Sequence, residues 1–253
     1  MSETFHNIPQ VIAIDGPAAS GKSTVGYLLA EKLNFLYLDT GSMYRAVTLA
    51  ALRAGIDPAD ENAVTDLAKQ LDLIIKPYAG EPDGRQYTVL LIGHDVTWEL
   101  RSPEVDTYVS AVSSYKGVRE EMVRRQREIA RQGGVVMVGR DIGTVVMPEA
   151  PLKLYITASP EERARRRWLD RKAQGNPADL AEILADINRR DQIDSNRKHS
   201  PLRPAEDAII INNTDKSPDS VLVEILDLIR NERPGLQWNY KETKIDPISR
   251  SKS

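Results

Sequence analysis

The stretch that decides the fold is VIAIDGPAASGKST, residues 11–24. It opens with a short apolar run, Val11–Ile14, which is typical of a buried strand, and an amphipathic run begins at Lys22. Between these runs, the residues from Gly16 to Ser23 match GxxxxGK[ST] in the strand–loop–helix setting that this pattern requires. In such a loop, backbone N–H groups converge on a phosphate, the lysine adds positive charge and the hydroxyl can bind Mg²⁺. The stretch therefore predicts a site for a nucleoside triphosphate.

Along the rest of the chain, short apolar runs alternate with amphipathic stretches. This alternation predicts an α/β fold, with a five-stranded parallel sheet and helices on both faces. We expect strands at Val11–Ile14, Phe35–Leu38, Val135–Val138, Leu152–Ile156 and Ala208–Ile211. We expect helices at Lys22–Leu33, Tyr44–Ala54, Val118–Gln132, Glu161–Ala173, Ala178–Asp194 and Asp219–Asn231.

One region breaks the alternation. Residues 71–100 contain LDLIIK, a turn-rich YAGEPDGRQ and then YTVLLIG, which together predict a small β-rich insertion. After residue 230 the chain is polar, and we expect a disordered tail. The expected organisation is one domain over 8–230, made of a core (8–60 and 115–230) and an insert (61–114), followed by the tail 231–253.

The composition excludes several kinds of chemistry. The chain has no cysteine, so it has no disulfide, thiolate metal site or cysteine nucleophile. Its histidines, His6, His94 and His199, are scattered, so a histidine metal site or a Ser-His-Asp triad is not expected. No apolar run could span a bilayer and no leader peptide is visible, so we expect a cytoplasmic protein without a membrane partner.

Charge is unevenly distributed around a net value of −3. Residues 116–203 carry 19 Lys and Arg against 13 Asp and Glu, whereas the remainder carries 15 against 24. A basic segment in an acidic protein indicates a concave site for a small polyanion, rather than a surface for nucleic acid. Solvated helix faces that are rich in arginine remain the alternative.

A group of polar side chains follows the second and third strands. Thr40 comes directly after the second strand, and Tyr44 and Arg45 lie one helical turn further on. The third strand leads into Arg140 and Asp141. The carboxyl ends of parallel strands face one crevice, so these side chains should lie beside the phosphate loop, where arginine can bind phosphate through two hydrogen bonds. A capped helix start with a surface arginine is the alternative.

The predicted helix after the fourth strand begins with Ser159 as its cap, Pro160 at its first position and a glutamate, from Glu161-Glu162, as the capping-box partner that bonds back to Ser159. Arg163, Arg166 and Arg167 then share one face of this helix, where like charges repel one another. A bound polyanion would relieve this repulsion, and so would nearby acidic side chains.

The next predicted helix also carries charge on one face. Arg190, Asp194 and Arg197 are spaced at i, i+4 and i+7. Their alternating signs fit either ion pairs along the helix or contacts to a polar ligand. Taken together, the segments from Thr40 to Arg197 surround one crevice with arginine.

Several of these segments resemble the bacterial-type cytidylate kinase family, in the same order and at similar spacing. The resemblance covers about residues 10–230, and its most specific parts are the patterns DxGxxYR and GRDxGTVV. The matching stretches are the phosphate loop, DTGSMYR (39–45), VSAVSSYKGVREEMVRRQR (109–127), VGRDIGTVVMPEA (138–150), SPEERARRRW (159–168) and RRDQIDSNR (189–197).

The resemblance implies a P-loop nucleoside monophosphate kinase that transfers the γ-phosphoryl group of ATP to CMP or dCMP, with Mg²⁺. It implies a β-rich acceptor-binding insert and a mobile helical lid over about 159–175. ATP would be bound by Gly16, Pro17, Ala18, Ala19, Ser20, Gly21, Lys22, Ser23, Thr24, Arg166 and Arg167, with Ser23 also binding the metal. The catalytic residues would be Lys22, Arg140, Asp141 and Arg163.

The resemblance also assigns the acceptor site. Ser110 and Arg119 would read the cytosine edge, although a helix-capping serine and an arginine paired with Glu120 or Glu121 are alternatives. The remaining CMP-binding residues would be Thr40, Tyr44, Arg45, Arg140, Asp141, Arg190, Asp194 and Arg197. The partners implied are ATP and CMP or dCMP, with no nucleic acid, acting on a monomer.

This sequence departs from the family pattern at a few places, and two other functions remain as alternatives. Thr40 replaces a serine that is common in the family, and the stretch 71–100 looks diverged. A kinase for another small acceptor, UMP or shikimate, is one rival, although Gly41 stands where shikimate kinases favour a second acid. A nucleotide-dependent switch or DNA-handling ATPase is the other, although no guanine-binding NKxD motif is present.

Overall fold

The computed structural model describes residues 8–173, 175, 178–197 and 200–231, and its central feature is a parallel sheet. The strands in chain order are β1 (Val11–Asp15), β2 (Leu36–Asp39), β3 (Leu73–Pro77), β4 (Tyr87–Leu91), β5 (His94–Asp95), β6 (Val135–Gly139), β7 (Leu152–Thr157) and β8 (Ile209–Asn212). Five of them form the sheet in the order β2-β6-β1-β7-β8, with every neighbouring pair parallel. The predicted fold class is confirmed.

Helices flank this sheet and connect its strands. They are α1 (Lys22–Leu33), α2 (Thr40–Arg53), α3 (Glu61–Gln70), α4 (Pro103–Val112), α5 (Lys116–Arg131), α6 (Pro160–Ala173), α7 (Leu180–Ser195) and α8 (Pro218–Asn231). Short helical turns occupy Glu99–Arg101 and Ile142–Val146. All residues of β1 and β6 are buried, because these inner strands are covered on both faces. That burial explains why they read as continuous apolar runs.

The insertion forms its own three-stranded antiparallel sheet, β3-β4-β5, as the β-rich pattern of 71–100 predicts. Helices α3 and α4, which precede and follow that sheet in the chain, were not expected from the sequence. In α3 only Val64 and Ala68 are buried, so its apolar face is narrow. In α4 the side chain of Ser102 caps the helix and Pro103 is its first residue. The same serine–proline signal marked the helix at Ser159.

Two helix starts differ from the expected details. Helix α2 begins at Thr40 rather than Tyr44, because the Asp39 carboxylate accepts the backbone N–H of Gly41 at 3.0 Å and caps the helix there. At α6 the hydroxyl of Ser159 accepts an N–H bond from the first turn, as expected for a cap. No glutamate bonds back to the Ser159 N–H, which donates to the Thr214 hydroxyl at 3.0 Å instead.

Three further findings bear on the expectations above. No helix within the described ranges is long and apolar enough to cross a membrane. All of the predicted tail except Asn231, the last residue of α8, lies outside the described residues, as do His6 and His199. The division into core, insert and lid stays a prediction.

Candidate active site

The loop between β1 and α1 has a backbone that only some residues can adopt. At Gly16 φ is +153°, and a Cβ there would lie 2.0 Å from the carbonyl oxygen of Ile156 on the neighbouring strand. The loop returns through Ala19 and Gly21, both also at positive φ. No side chain caps α1, so no capping group accepts from the N–H groups of its first turn. This geometry suits a phosphate.

Lys22 lies at the start of α1 and faces the same loop. Its ammonium donates to the Pro17 carbonyl at 2.9 Å, and its side chain is buried. Burial, together with the nearby charge of Arg140, lowers its pKa to about 7. A phosphate beside the ammonium would favour the charged form, so the site is electrostatically prepared for an anion.

A single cleft of about 900 Å³ opens beside this loop at the carboxyl edge of the sheet. Lys22 and Ser23 line it on the loop side. All ten residues that the resemblance assigned to CMP also line it: Thr40, Tyr44, Arg45, Ser110, Arg119, Arg140, Asp141, Arg190, Asp194 and Arg197. The fold therefore brings together side chains that are up to 157 positions apart in the chain.

Two buried carboxylates organise the arginines of the cleft. Asp141, 7% exposed, pairs with Arg119. Asp194, 4% exposed, accepts from Arg140 and from Arg197, each at 2.7 Å. Buried charges need such partners, and the pairing holds each guanidinium in a defined position. The cleft is thus a prearranged set of donors.

The contacts of Arg119 decide between the alternatives that the sequence left open. Its guanidinium is paired with Asp141 and lies 5.6 Å from the ring centroid of Tyr44, and neither Glu120 nor Glu121 is its ion-pair partner. Ser110 lies inside α4 and does not cap it. Both side chains face the cleft. Their role in reading a base stays a prediction.

Thr40 and Arg45, two of the predicted CMP-binding residues, connect the start of α2 to neighbouring elements. The hydroxyl of Thr40 donates to the Val138 carbonyl on β6 at 3.0 Å, which leaves only its oxygen lone pairs for a ligand. Arg45 donates to the Leu100 carbonyl at 2.8 Å and pairs with Asp106 on α4 at 2.7 Å. Arg45 therefore connects the core to the insert at the edge of the cleft.

Two arginines of α6 lie against the phosphate loop rather than in the cleft. Arg163 is 3% exposed, pairs with Asp191 at 2.5 Å and donates to the Ala18 carbonyl at 3.3 Å. Arg166 pairs with Glu162 at 2.7 Å and reaches another loop carbonyl at 3.4 Å. Carboxylates of the chain therefore offset the expected repulsion, which was the alternative to a bound polyanion.

Arg167 is the member of that trio that lines the cleft. Burial and the neighbouring charge of Arg190 lower its pKa, because both disfavour the cation. Arg190 itself pairs with Asp186 at 3.0 Å. Arg167 and Arg190 therefore bring positive charge to the cleft between α6 and α7, where a polyphosphate could bind.

Residues that the sequence analysis missed also line the cleft. Arg101 lies at its edge, with its guanidinium 5.4 Å from the ring centroid of Trp98, and Asp106 and Arg189 line it as well. The Ser102-Pro103 helix start could have placed α4, and with it Arg101, near the site. Nothing in the local pattern marked Arg189.

The donor set for a metal is limited to oxygen atoms. No cluster of three or more histidine, aspartate or glutamate residues that could hold a metal occurs in the part of the chain that the structure describes. Ser23 and Asp39 both line the cleft beside Lys22. Mg²⁺ in nucleotide sites takes only one or two protein oxygens and completes its shell with phosphates and water, so this set fits it.

Comparison with known proteins gives the family. The sequence profile described as "Cytidylate kinase" matches residues 12–231. The chain is 52% identical over 220 residues to a cytidylate kinase from Chloroflexus aggregans, covering 87% of this chain and 93% of the relative. It is 53% identical over 215 residues to one from Desulforamulus reducens (85% and 94% covered) and 49% identical over 226 residues to one from Limosilactobacillus reuteri (89% and 97% covered). This chain belongs to the cytidylate kinase family.

Proposed function

We propose that the cleft is where this chain carries out the reaction of its family, transfer of the ATP γ-phosphoryl group to the 5′-phosphate of CMP or dCMP. The products are ADP and CDP or dCDP. One observation carries the proposal: Lys22 and Ser23, at the end of the phosphate loop, line the same cleft as the predicted acceptor residues. A kinase needs its donor and acceptor phosphates side by side, and a nucleotide-dependent switch does not need an arginine-lined acceptor site.

We propose that Arg119 and Ser110 bind the cytosine base. Arg119 has only donors, which suit the N3 and O2 acceptors of cytosine, and its pairing with Asp141 holds it in the cleft. The Ser110 hydroxyl can accept from the amino group of cytosine. Uracil presents an N3–H donor and a carbonyl, so the same groups would be left unpaired against UMP.

The sugar and phosphate of the acceptor are assigned to the other charged side chains of the cleft. Asp194 holds Arg140 and Arg197 in place, and Arg190 lies one turn earlier on α7. Arg45 stands at the insert edge. These guanidiniums would bind the 5′-phosphate and hold it in line with the γ-phosphate of ATP.

On the donor side, the loop N–H groups and Lys22 would bind the β- and γ-phosphates, and Arg167 would reach them from α6. The catalytic role assigned to Arg163 requires its guanidinium to exchange Asp191 for a phosphate. Arg166, already against the loop, would need to give up a backbone carbonyl in the same way. Both assignments rest on the resemblance and on the position of α6 beside the loop.

The acceptor phosphate is already a competent nucleophile, so no strong general base is required. Catalysis would come from positioning and from donors aimed at the charge that develops on the transferred group. Mg²⁺, held by the Ser23 hydroxyl and the ATP phosphates, would add to this neutralisation when bound. Closure of α6 over the cleft would exclude water and suppress ATP hydrolysis.

An acceptor panel tests the substrate directly. We expect ADP release, measured in a coupled assay, to be stimulated by CMP or dCMP at least about tenfold more than by UMP, AMP or shikimate, because a site with committed donors rejects the wrong pattern. Equal stimulation by UMP would contradict the base assignment. Stimulation only by DNA, RNA or a protein would contradict the kinase assignment.

Hydrogen exchange tests the lid. Binding of adenylyl imidodiphosphate should slow amide exchange over residues 159–175, because its phosphates would pair with Arg167 and add a ligand contact to α6, which already touches the phosphate loop through Arg163 and Arg166. Helix α8, which packs away from this contact on α1, serves as the internal control. Equal exchange of the lid with and without the analogue would count against closure.

We also propose that the protein works as a cytoplasmic monomer on small molecules, without nucleic acid. The support is that one chain supplies all ten predicted acceptor residues together with Lys22, Ser23 and Arg167 to one cleft. Sedimentation at micromolar concentration, with and without nucleotides, tests the oligomeric state.

A further inference from the structure

Asp15 is a buried carboxylate that the reaction as described does not use. It is the last residue of β1 and directly precedes Gly16, and it is only 4% exposed. Its two oxygens accept the backbone N–H groups of Ile142 and Gly143 at 2.8 and 2.7 Å. A carboxylate so placed joins the start of the phosphate loop to a second loop that lies more than 120 positions away in the chain.

That second loop carries the acceptor-side groups. Arg140 and Asp141 immediately precede the two N–H groups that Asp15 binds. Asp141 in turn pairs with Arg119, and Arg140 donates back to the Gly16 carbonyl at 3.3 Å. Hydrogen bonds therefore link the two loops in both directions.

The packing around this contact leaves little freedom. A Cβ at Gly143 would lie 3.4 Å from an Asp15 oxygen and 3.2 Å from the side chain of Lys153, so the loop lies in close contact with both side chains here. The helical turn Ile142–Val146 begins at this contact, so the first residues of the turn lie against β1. The two hydrogen bonds to Asp15 therefore hold the loop that carries Arg140 and Asp141 against the end of β1.

We propose that Asp15 is a positioning residue, which acts through the Ile142 and Gly143 amides to hold Asp141 and Arg119 in register with the phosphate loop. The inference rests on the proposed function, since it assumes that CMP binds against Arg119. Asp15 itself touches neither nucleotide. An asparagine in its place keeps one accepting oxygen but turns an N–H donor toward the other amide, so one of the two contacts is lost.

The titration of Asp15 can be measured in the absence of substrate. Burial raises its pKa to about 6, and the like charge of Asp141 adds to the rise, whereas the two N–H bonds and Lys22 oppose it. Tyr155 on β7 also interacts with its charge, whereas the ammonium of the nearby Lys153 donates to Asp207 and to the Pro148 carbonyl. The carboxylate is therefore ionised at pH 7.5 and protonated at pH 5, where it can no longer accept both bonds equally.

Amide chemical shifts in the nucleotide-free protein test the contact. In the wild-type protein, the Ile142 and Gly143 amide protons should titrate together with a midpoint near pH 6, and the Asp15→Asn substitution should remove this titration. Flat shifts of both amides between pH 5 and 8 in the wild-type protein would overturn the proposal without any variant.

Equilibrium binding then tests the consequence. We expect Asp15→Asn to raise the Kd of CMP about tenfold, the effect of one lost charged hydrogen bond, and to change the Kd of adenylyl imidodiphosphate much less. The matched control is Asp227→Asn, which removes an exposed pair with Arg230 at 3.1 Å on α8. It should leave CMP binding unchanged.

The outcomes separate the two proposals. A wild-type protein that binds no CMP would overturn the proposed function itself. Equal CMP binding by the wild type and Asp15→Asn would overturn only the role of Asp15. The same weakening for both nucleotides, or for Asp227→Asn as well, would show a general structural defect and would overturn it too.

Discussion

The Lys22→Ala variant is expected to remain folded and to lose about 3 kcal/mol of transition-state stabilisation, on the order of 100-fold or more in kcat. The ammonium donates to one carbonyl of its own loop, and burial holds its pKa at about 7. The charge of Lys22 therefore contributes little to the stability of the folded protein. In the reaction, the same charge would face the phosphoryl group as negative charge develops. The loss should therefore appear in kcat more than in stability.

Steady-state ADP release and thermal unfolding, measured on the same preparation, check this expectation. Lys116→Ala is a suitable control, because its side chain is exposed on α5 and pairs only weakly with Glu120 at 3.8 Å. A Lys22→Ala enzyme with nearly normal kcat would mean that the loop binds something other than a reacting phosphate.

The Arg119→Met variant is expected to lower kcat/KM for CMP by about 2 kcal/mol, roughly 30-fold, and to affect UMP much less. The reason is that Arg119 offers donors that match cytosine and oppose uracil. The structure adds a second consequence. Asp141 would lose its buried partner, so the variant should also be less stable.

The ratio of kcat/KM for CMP to that for UMP is the measurement that matters, because a loss of folded enzyme lowers both values equally. Arg124→Met is the matched control on the same helix. Its guanidinium is half-exposed and pairs with Glu121 and Glu128, away from the cleft. If both acceptors fall by the same factor in Arg119→Met, Arg119 does not read the base.

Several parts of the fold were predictable from local patterns. The five core strands are short apolar runs, and each of the six predicted core helices is present with ends that differ by a few residues. The phosphate loop was recognisable because its function depends on backbone geometry, which requires glycine at defined spacing. The family assignment followed from motifs that lie in order, and the comparisons confirm it.

The helices of the insert were less predictable. Helix α3 is only ten residues long and buries only Val64 and Ala68, so few apolar positions mark it in the sequence. The start of α2 moved from Tyr44 to Thr40 because a single side chain, Asp39, caps it. Such a cap depends on one hydrogen bond, and a pattern summed over many residues does not detect it.

The sequence by itself determined the alternation of the core strands and helices, the phosphate loop and many of the charged residues around the cleft, because these depend on residue type and local spacing. Only the tertiary structure decided which charges pair. Arg163 meets Asp191, Arg119 meets Asp141, and Asp15 meets the amides of a distant loop. Each pair joins different elements at least 22 positions apart, and a buried charge pairs with whichever partner lies close after the strands have aligned, which no local pattern encodes.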